Sequence, residues 1–388
     1  MEYPLTFPTW DNKENQAIKS VVKSGYFSMG KKVEEFERKF AKYLNRKYAI
    51  MVNSGSSANL IGMSAFFYKE FGKLQSGDEV IVPAIAWSTT YSPLKQLGLK
   101  LKIIDVNFEN LNLNFDLLKK AITKKTKMIV SVSILGVPAE LEKIRKLCKK
   151  QKIIFFEDNC ESLGSKIGKI KTGKFGDIST HSFFYSHHIS TMEGGMCVTD
   201  SFELYCILKS LRAHGWSRDL PKINTLTKPL YGSKQAEYNF VLPGFNVRPG
   251  EINAAIGIEQ LKKLDDLVKY RIKNWNLFKK LFKNDKRFTI QNTNYKNASF
   301  AFTFVINNNK KNLKQKIYKI LKKKGIAYRL ITGGCFTKHP YKKYFNYKIF
   351  KTLKVANKIH DDGFFVGNAG QDLTKEINYL YHTLRSIK

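Results

Sequence analysis

The chain has 388 residues, 43% of them hydrophobic and 13% aromatic, and its 67 Lys+Arg against 32 Asp+Glu give a formal net charge of +35. That supply of apolar side chains excludes disorder as the main state, and the length is enough for two to three domains. Five scattered cysteines without a Cys-x-x-Cys pair exclude a disulfide scaffold or zinc ribbon and fit a reducing cytoplasm; the N-terminus does not read as a secretory signal, and no apolar run reaches the ~18 residues of a membrane span.

In chain order, Tyr48–Asn53 predicts a strand and Ser57–Phe71 a helix. Glu79–Pro83 is a strand, Ser92–Leu97 helical, Leu101–Val106 a strand, Phe115–Ile122 helical and Lys127–Ile134 a strand. Leu141–Lys150 is helical and Lys152–Glu157 a strand. Runs such as Met128-Ile129-Val130 and Ile153-Ile154-Phe155-Phe156 suit strands buried on both faces, so the alternation predicts an α/β domain with a mainly parallel sheet covered by helices. Gly176–Thr199 reads as two strands joined by a tight glycine turn at Met192-Glu193-Gly194-Gly195. A long helix runs from Glu251 to about Lys283. A C-terminal part follows, with strands Ser299–Ile306 and Ala327–Leu330 and helices Leu313–Lys323 and Thr374–Ser386. The domain boundary is placed near 250, with residues 1–250 and 251–388 as the two units.

The charge invites a nucleic-acid reading. Yet 57 of the basic residues are Lys and only 10 are Arg, dispersed as pairs and triples such as Lys149-Lys150 and Lys322-Lys323-Lys324. Base readout favours Arg and concentrated charge, so a solvated lysine surface is the better account.

Three segments carry chemistry. Asn53-Ser54-Gly55-Ser56-Ser57-Ala58-Asn59 follows a strand and opens a helix, which suits either an anion site or an ordinary serine cap. Phe156-Glu157-Asp158-Asn159-Cys160-Glu161 ends a strand in acids. Such carboxylates suit a protonated pyridine nitrogen, a metal without nearby His, or plain loop residues. In the third, Ser182-Phe183 is followed by His187-His188 and then Glu193-Gly194-Gly195.

This last pattern resembles the cofactor-lysine segment of the DegT-type nucleotide-sugar aminotransferases, with His187 at the lysine position; no Lys occurs from Phe175 to Thr199. The resemblance narrows to the sugar 3-dehydratases, in which histidine replaces the Schiff-base lysine. It runs over essentially the whole chain. It implies a pyridoxal-phosphate fold type I (aspartate-aminotransferase-like) architecture, with a mainly parallel seven-stranded sheet in the large domain and a small C-terminal α+β domain. It further implies a phosphate loop at Gly55 and Ser56, Trp87 over the cofactor ring, and Asp158 on the ring nitrogen. Glu161 would lie near the ring hydroxyl, with Ser182 also at the cofactor and Asn246 reaching the phosphate of a neighbouring subunit. His214, Arg218 and Arg329 fall at substrate positions.

Histidine has no primary amine, so pyridoxal or pyridoxamine phosphate should sit noncovalently while His187 moves protons. The resemblance then implies a lyase: removal of the C3 hydroxyl of a GDP-4-keto-6-deoxyhexose, with L-glutamate restoring pyridoxamine phosphate and leaving as 2-oxoglutarate. It also implies a cytoplasmic homodimer in lipopolysaccharide O-antigen deoxysugar synthesis, without nucleic-acid or membrane partners. Without a Cys-x-Cys pair no iron–sulfur cluster is expected, and no metal. The alternatives are a cluster-free dehydratase or aminotransferase on a CDP or dTDP sugar, and a non-catalytic basic binding protein.

Overall fold

Continuous apolar runs, too buried to leave a polar face, line up as the strands of one large sheet. The computed structural model describes residues 2–227, 239–307 and 312–387. The strands are β1 (Tyr48–Val52), β2 (Glu79–Pro83), β3 (Lys100–Ile104), β4 (Thr126–Val132) and β5 (Ile154–Asp158), then a two-stranded hairpin, β6 (Lys166–Ile167) and β7 (Ile170–Lys171), and β8 (Ile178–Ser182) and β9 (Gly195–Thr199). In the C-terminal part lie β10 (Phe288–Thr289), β11 (Ala301–Ile306), β12 (Tyr328–Arg329), β13 (Tyr347–Ile349) and β14 (Gly363–Gly367). The large sheet runs β1-β9-β8-β5-β4-β2-β3-β13, and only β9 runs against its neighbours.

The sheet therefore has eight strands, not the expected seven. The eighth, β13, comes from the C-terminal part and pairs with β3 through Tyr347↔Leu101. Tyr3 crosses position 250 in the opposite sense: it bridges Ile326, and its hydroxyl donates to Gly367 O at 2.6 Å. The expected glycine turn is instead the twelve-residue loop 183–194 between β8 and β9.

Helices cover the sheet: α1 (Asn12–Ser24), α2 (Lys31–Tyr43), α3 (Gly55–Ser64), α4 (Ser88–Gln96), α5 (Phe115–Ala121), α6 (Leu141–Gln151) and α7 (Phe202–Arg212). The 32-residue α8 (Glu251–Phe282) leads to the small sheet β10-β11-β14-β12, which is antiparallel and backed by α9 (Leu313–Lys323), α10 (Lys354–Asp362) and α11 (Thr374–Arg385). Its core is aromatic: Phe278 stacks on Phe302 at 4.6 Å and Phe304 on Phe364 at 5.0 Å. No described helix is long and apolar enough to cross a membrane.

The carboxyl ends of β2, β4, β5 and β8 lie at one edge of the large sheet, and the register Ser182↔Gly195↔Val52 brings the end of β1 level with them. Ligands of open α/β sheets settle at that edge.

Candidate active site

A cavity of about 450 Å³ opens at this edge, closed on the far side by Arg329, Leu330, Thr332 and Phe365 of the small domain. Of the residues singled out in the sequence, Gly55, Ser56, Trp87, Asp158, Glu161, Ser182, His187 and Arg329 all line it.

Its floor begins where α3 starts. Ser54 caps the helix, its hydroxyl accepting from Ser57 N at 3.0 Å. The strand-loop-helix turn is so tight that a Cβ on Gly55 would lie 2.5 Å from Ser182 Cβ, and one on Gly195 2.3 Å from Ser54 O. Only glycine allows the three segments to converge. The helix N-terminus thus faces the cavity with its unpaired N–H groups, a setting that favours a phosphate. Ser56 donates across the opening to Thr89 Oγ1 at 2.9 Å.

Asp158 ends the central strand β5. Its Oδ2 accepts from Asn59 Nδ2 at 2.9 Å and Thr90 Oγ1 at 2.8 Å, and Oδ1 accepts from Cys160 N at 3.2 Å. Asn59 is itself fixed by Thr180 Oγ1, which donates to Asn59 Oδ1 at 2.6 Å. These donors hold the carboxylate without a formal positive partner, leaving its charge available to a cationic ring nitrogen. Trp87, just ahead of α4, is 54% exposed and presents a large apolar face at the opening. A glycine cradle, an N–H cluster, a buried carboxylate and an unburied indole round one cavity fit a phosphorylated pyridine cofactor.

His187 sits in the loop after β8. Its Nδ1 lies 2.8 Å from the Cys160 carbonyl, which can only accept, so Nδ1 carries the proton and Nε2 is the free basic nitrogen. Burial pushes its pKa down to about 4, against a raising effect of the Cys160 carbonyl, and Arg271 lowers it further. The ring is therefore neutral at pH 7. His188 turns the other way: it is buried and its Nε2 meets Ala298 O at 2.6 Å, so it ties the loop to the small domain. No lysine lines the cavity among the described residues.

Glu161 has its Oε2 bonded by Leu135 N at 2.8 Å. Burial, with Asp158 adding to it, raises its carboxyl to about 7.

Asn246, His214 and Arg218 do not line this cavity. Asn246 is exposed, pairs with Ala213 and accepts from Arg248 Nε at 3.1 Å. His214 takes a left-handed backbone (φ 64°) and donates its N–H to Phe245 O at 2.6 Å. Arg218 is exposed, its guanidinium 5.4 Å over the Trp216 ring. Residues that sequence reasoning gave no role are Asn59, Thr90, the Cys160 carbonyl, Leu135, Phe300 and Thr332. Asn59 alone left a signal: it stands one helical turn beyond Gly55, where it faces the sheet.

Against known proteins, GDP-4-keto-6-deoxy-D-mannose 3-dehydratase of Yersinia pseudotuberculosis is 42% identical over 391 residues, covering 99% of this chain and 98% of the relative. Two solved structures of GDP-4-keto-6-deoxymannose-3-dehydratase are 43% identical and cover 99% of this chain and 100% of theirs. One, a His-to-Asn variant with bound GDP-perosamine, superposes with a TM-score of 0.96; the other, with a trapped PLP-glutamate geminal diamine, with 0.95. The family described as DegT/DnrJ/EryC1/StrS aminotransferase matches residues 8–384. The chain belongs to the DegT/DnrJ/EryC1/StrS aminotransferase family.

Proposed function

We propose that the protein is a pyridoxamine-phosphate-dependent 3-dehydratase of a GDP-4-keto-6-deoxyhexose, with glutamate as the amino donor. The observation that carries this is His187, a neutral imidazole with a free Nε2 in a cavity that offers no lysine among the described residues. When bound, the cofactor supplies the amine that engages the C4 ketone and the ring that accepts electrons as the C3 hydroxyl departs.

The residues divide the remaining work. The first N–H groups of α3, at Gly55 and Ser56, bind phosphate. Asp158 holds a proton at the pyridine nitrogen. Trp87 covers the ring and limits water. Ser182 and Glu161 bound the site from β8 and the β5 loop. His187 Nε2 takes the proton whose loss starts the dehydration, while Nδ1 stays bonded to Cys160 O and fixes the ring's aim. An imidazole cannot return an amine to the sugar as lysine chemistry does, so the balance tips to dehydration. Over a full cycle the sugar loses one oxygen, and glutamate becomes 2-oxoglutarate with release of ammonia.

Arg329, on the small-domain wall, is proposed to meet an anionic group of glutamate or sugar nucleotide, with His214 and Arg218 also on the substrate side. Asn246 is proposed to serve the site of a partner in a homodimer. The relatives' bound GDP-perosamine and PLP-glutamate support the choice of nucleotide and donor. Mass spectrometry of products from GDP- and CDP-4-keto-6-deoxyhexoses with glutamate tests the reading. Loss of one oxygen from the GDP sugar, abolished in His187→Asn, is expected; turnover of only the CDP sugar, or full turnover by His187→Asn, overturns it.

A further inference from the structure

Behind His187 stands a cation that the reaction has not yet used. Arg271, on α8, is only 3% exposed, and none of its ion pairs or hydrogen bonds among the described residues involves a carboxylate. Its Nη1 donates instead to three main-chain carbonyls, Ser299 O at 3.3 Å, Phe300 O at 3.2 Å and Asn368 O at 3.1 Å, and its buried Nε has no hydrogen-bond partner. A buried charge without a counter-ion is costly to the fold.

What it is pressed against gives it a use. The guanidinium lies 6.0 Å from the Phe300 ring, which also packs against the His187 ring at 5.1 Å and the His188 ring at 6.0 Å. Phe300 is held rigidly: its N–H donates to Leu135 O at 2.9 Å, and the adjoining Ser299 and Ala298 carbonyls take Asn368 Nδ2 and His188 Nε2. Arg271 is buried beside this apolar ring, so its field there is weakly screened.

We propose that Arg271 is a positioning residue: its buried guanidinium, packed against the same Phe300 ring as His187, adds to burial in holding His187 in the neutral, proton-accepting form. The other groups around His187 do not replace it. Asp158, Cys160 and Glu161 come from the β5 loop, with Glu161 protonating near neutrality. His188 is bonded to Ala298 O, Glu193 stands across the same loop, and Arg329 is exposed on the opposite wall. Burial is the larger force against a charged imidazole, and the buried cation adds to it.

The kinetic side of this inference rests on His187 being the base; the protonation side does not, and the test separates them. NMR titration of the His187 ring in the full-length protein is compared with Arg271→Gln, whose amide still donates to the carbonyls, and Arg271→Lys. The Gln variant should protonate His187 about half to one pH unit higher, the acid limb of kcat should move with it, and Lys should stay near wild type. If Gln does not fold, Arg271→Met gives the same reading. An unmoved titration in a folded neutral variant overturns the inference, as does an equal shift with Lys, which would mark the contacts rather than the charge as decisive. Dehydration by His187→Asn would instead sink the base assignment and leave the titration result standing.

Discussion

Steric room at Gly55 is the narrowest constraint in the site. An added Cβ would lie 2.5 Å from Ser182 Cβ, so either the helix start or the end of β8 must move. Gly55→Ala should cost about 1–3 kcal/mol and weaken retention of pyridoxamine phosphate, since the same N–H groups would be displaced. Urea melts and a cofactor titration by absorbance measure the two effects. Glu161 gives a second prediction, on pH. Its folded value of about 7 stands above the free 4.5, so burial penalises the charged form. The native state of the ligand-free protein is then unpenalised below about pH 4.5 and loses stability as pH rises towards 7, by roughly 3 kcal/mol in all. Glu161→Gln keeps an acceptor for Leu135 N and should remove that loss. The two proteins should melt alike in urea at pH 4.5 and diverge at pH 8; parallel behaviour at both would mean the carboxyl is not held neutral.

Helix α2 depends on a carboxylate from another helix. Gly30 supplies no side-chain cap, and Glu251, the first residue of α8, does so instead: Oε1 accepts from Gly30 N and Val33 N, and Oε2 from Lys32 N, all at 2.9 Å. Phe36 and Phe40 of α2 pack on Phe183 at 5.4 and 5.3 Å, and Phe183 starts the loop that carries His187. Glu251→Ala should therefore cost about 2–4 kcal/mol, with Glu251→Gln losing roughly half as much. Urea unfolding, read beside kcat, shows whether the loop loosens with the helix. Nothing in the sequence announces this bond, because a cap is legible only when its acceptor is local. Legibility followed that rule throughout. The strands β2 to β5 were readable as buried apolar runs. β13 was not, being three edge residues without a period, and its pairing with β3 spans some 250 positions. Gly194-Gly195 reads in sequence as a tight turn, whereas the segment 183–194 is a loop and Gly195 serves close approach to Ser54. Within the site, His187 and Asp158 stand at positions that the family resemblance singles out, and both line the cavity. Leu135, Phe300 and Thr332 arrive from elsewhere in the chain and act through position, which spacing does not encode.

In the whole molecule, Asn246, left outside its own chain's cavity, bears on assembly. Asn246 is exposed, lies in a segment held to Ala213 and does not line its own chain's cavity. If it completes a partner's phosphate site in a symmetric dimer, each active site draws His187 from one subunit and Asn246 from the other. Two inactive variants then become complementary. His187→Asn spoils the site on its own subunit; Asn246→Asp places a negative charge against the phosphate of the partner's site. In a mixed dimer both lesions fall on the same site, and the other is wild type throughout. Equal amounts allowed to exchange subunits give half mixed dimers, each with one working site of two, so activity should return to about a quarter of wild type. The readout is sugar dehydration before and after exchange, with sedimentation confirming a mass near twice 44.7 kDa. Activity that stays at the level of the separate variants would place both residues in the same subunit's site, or Asn246 in none.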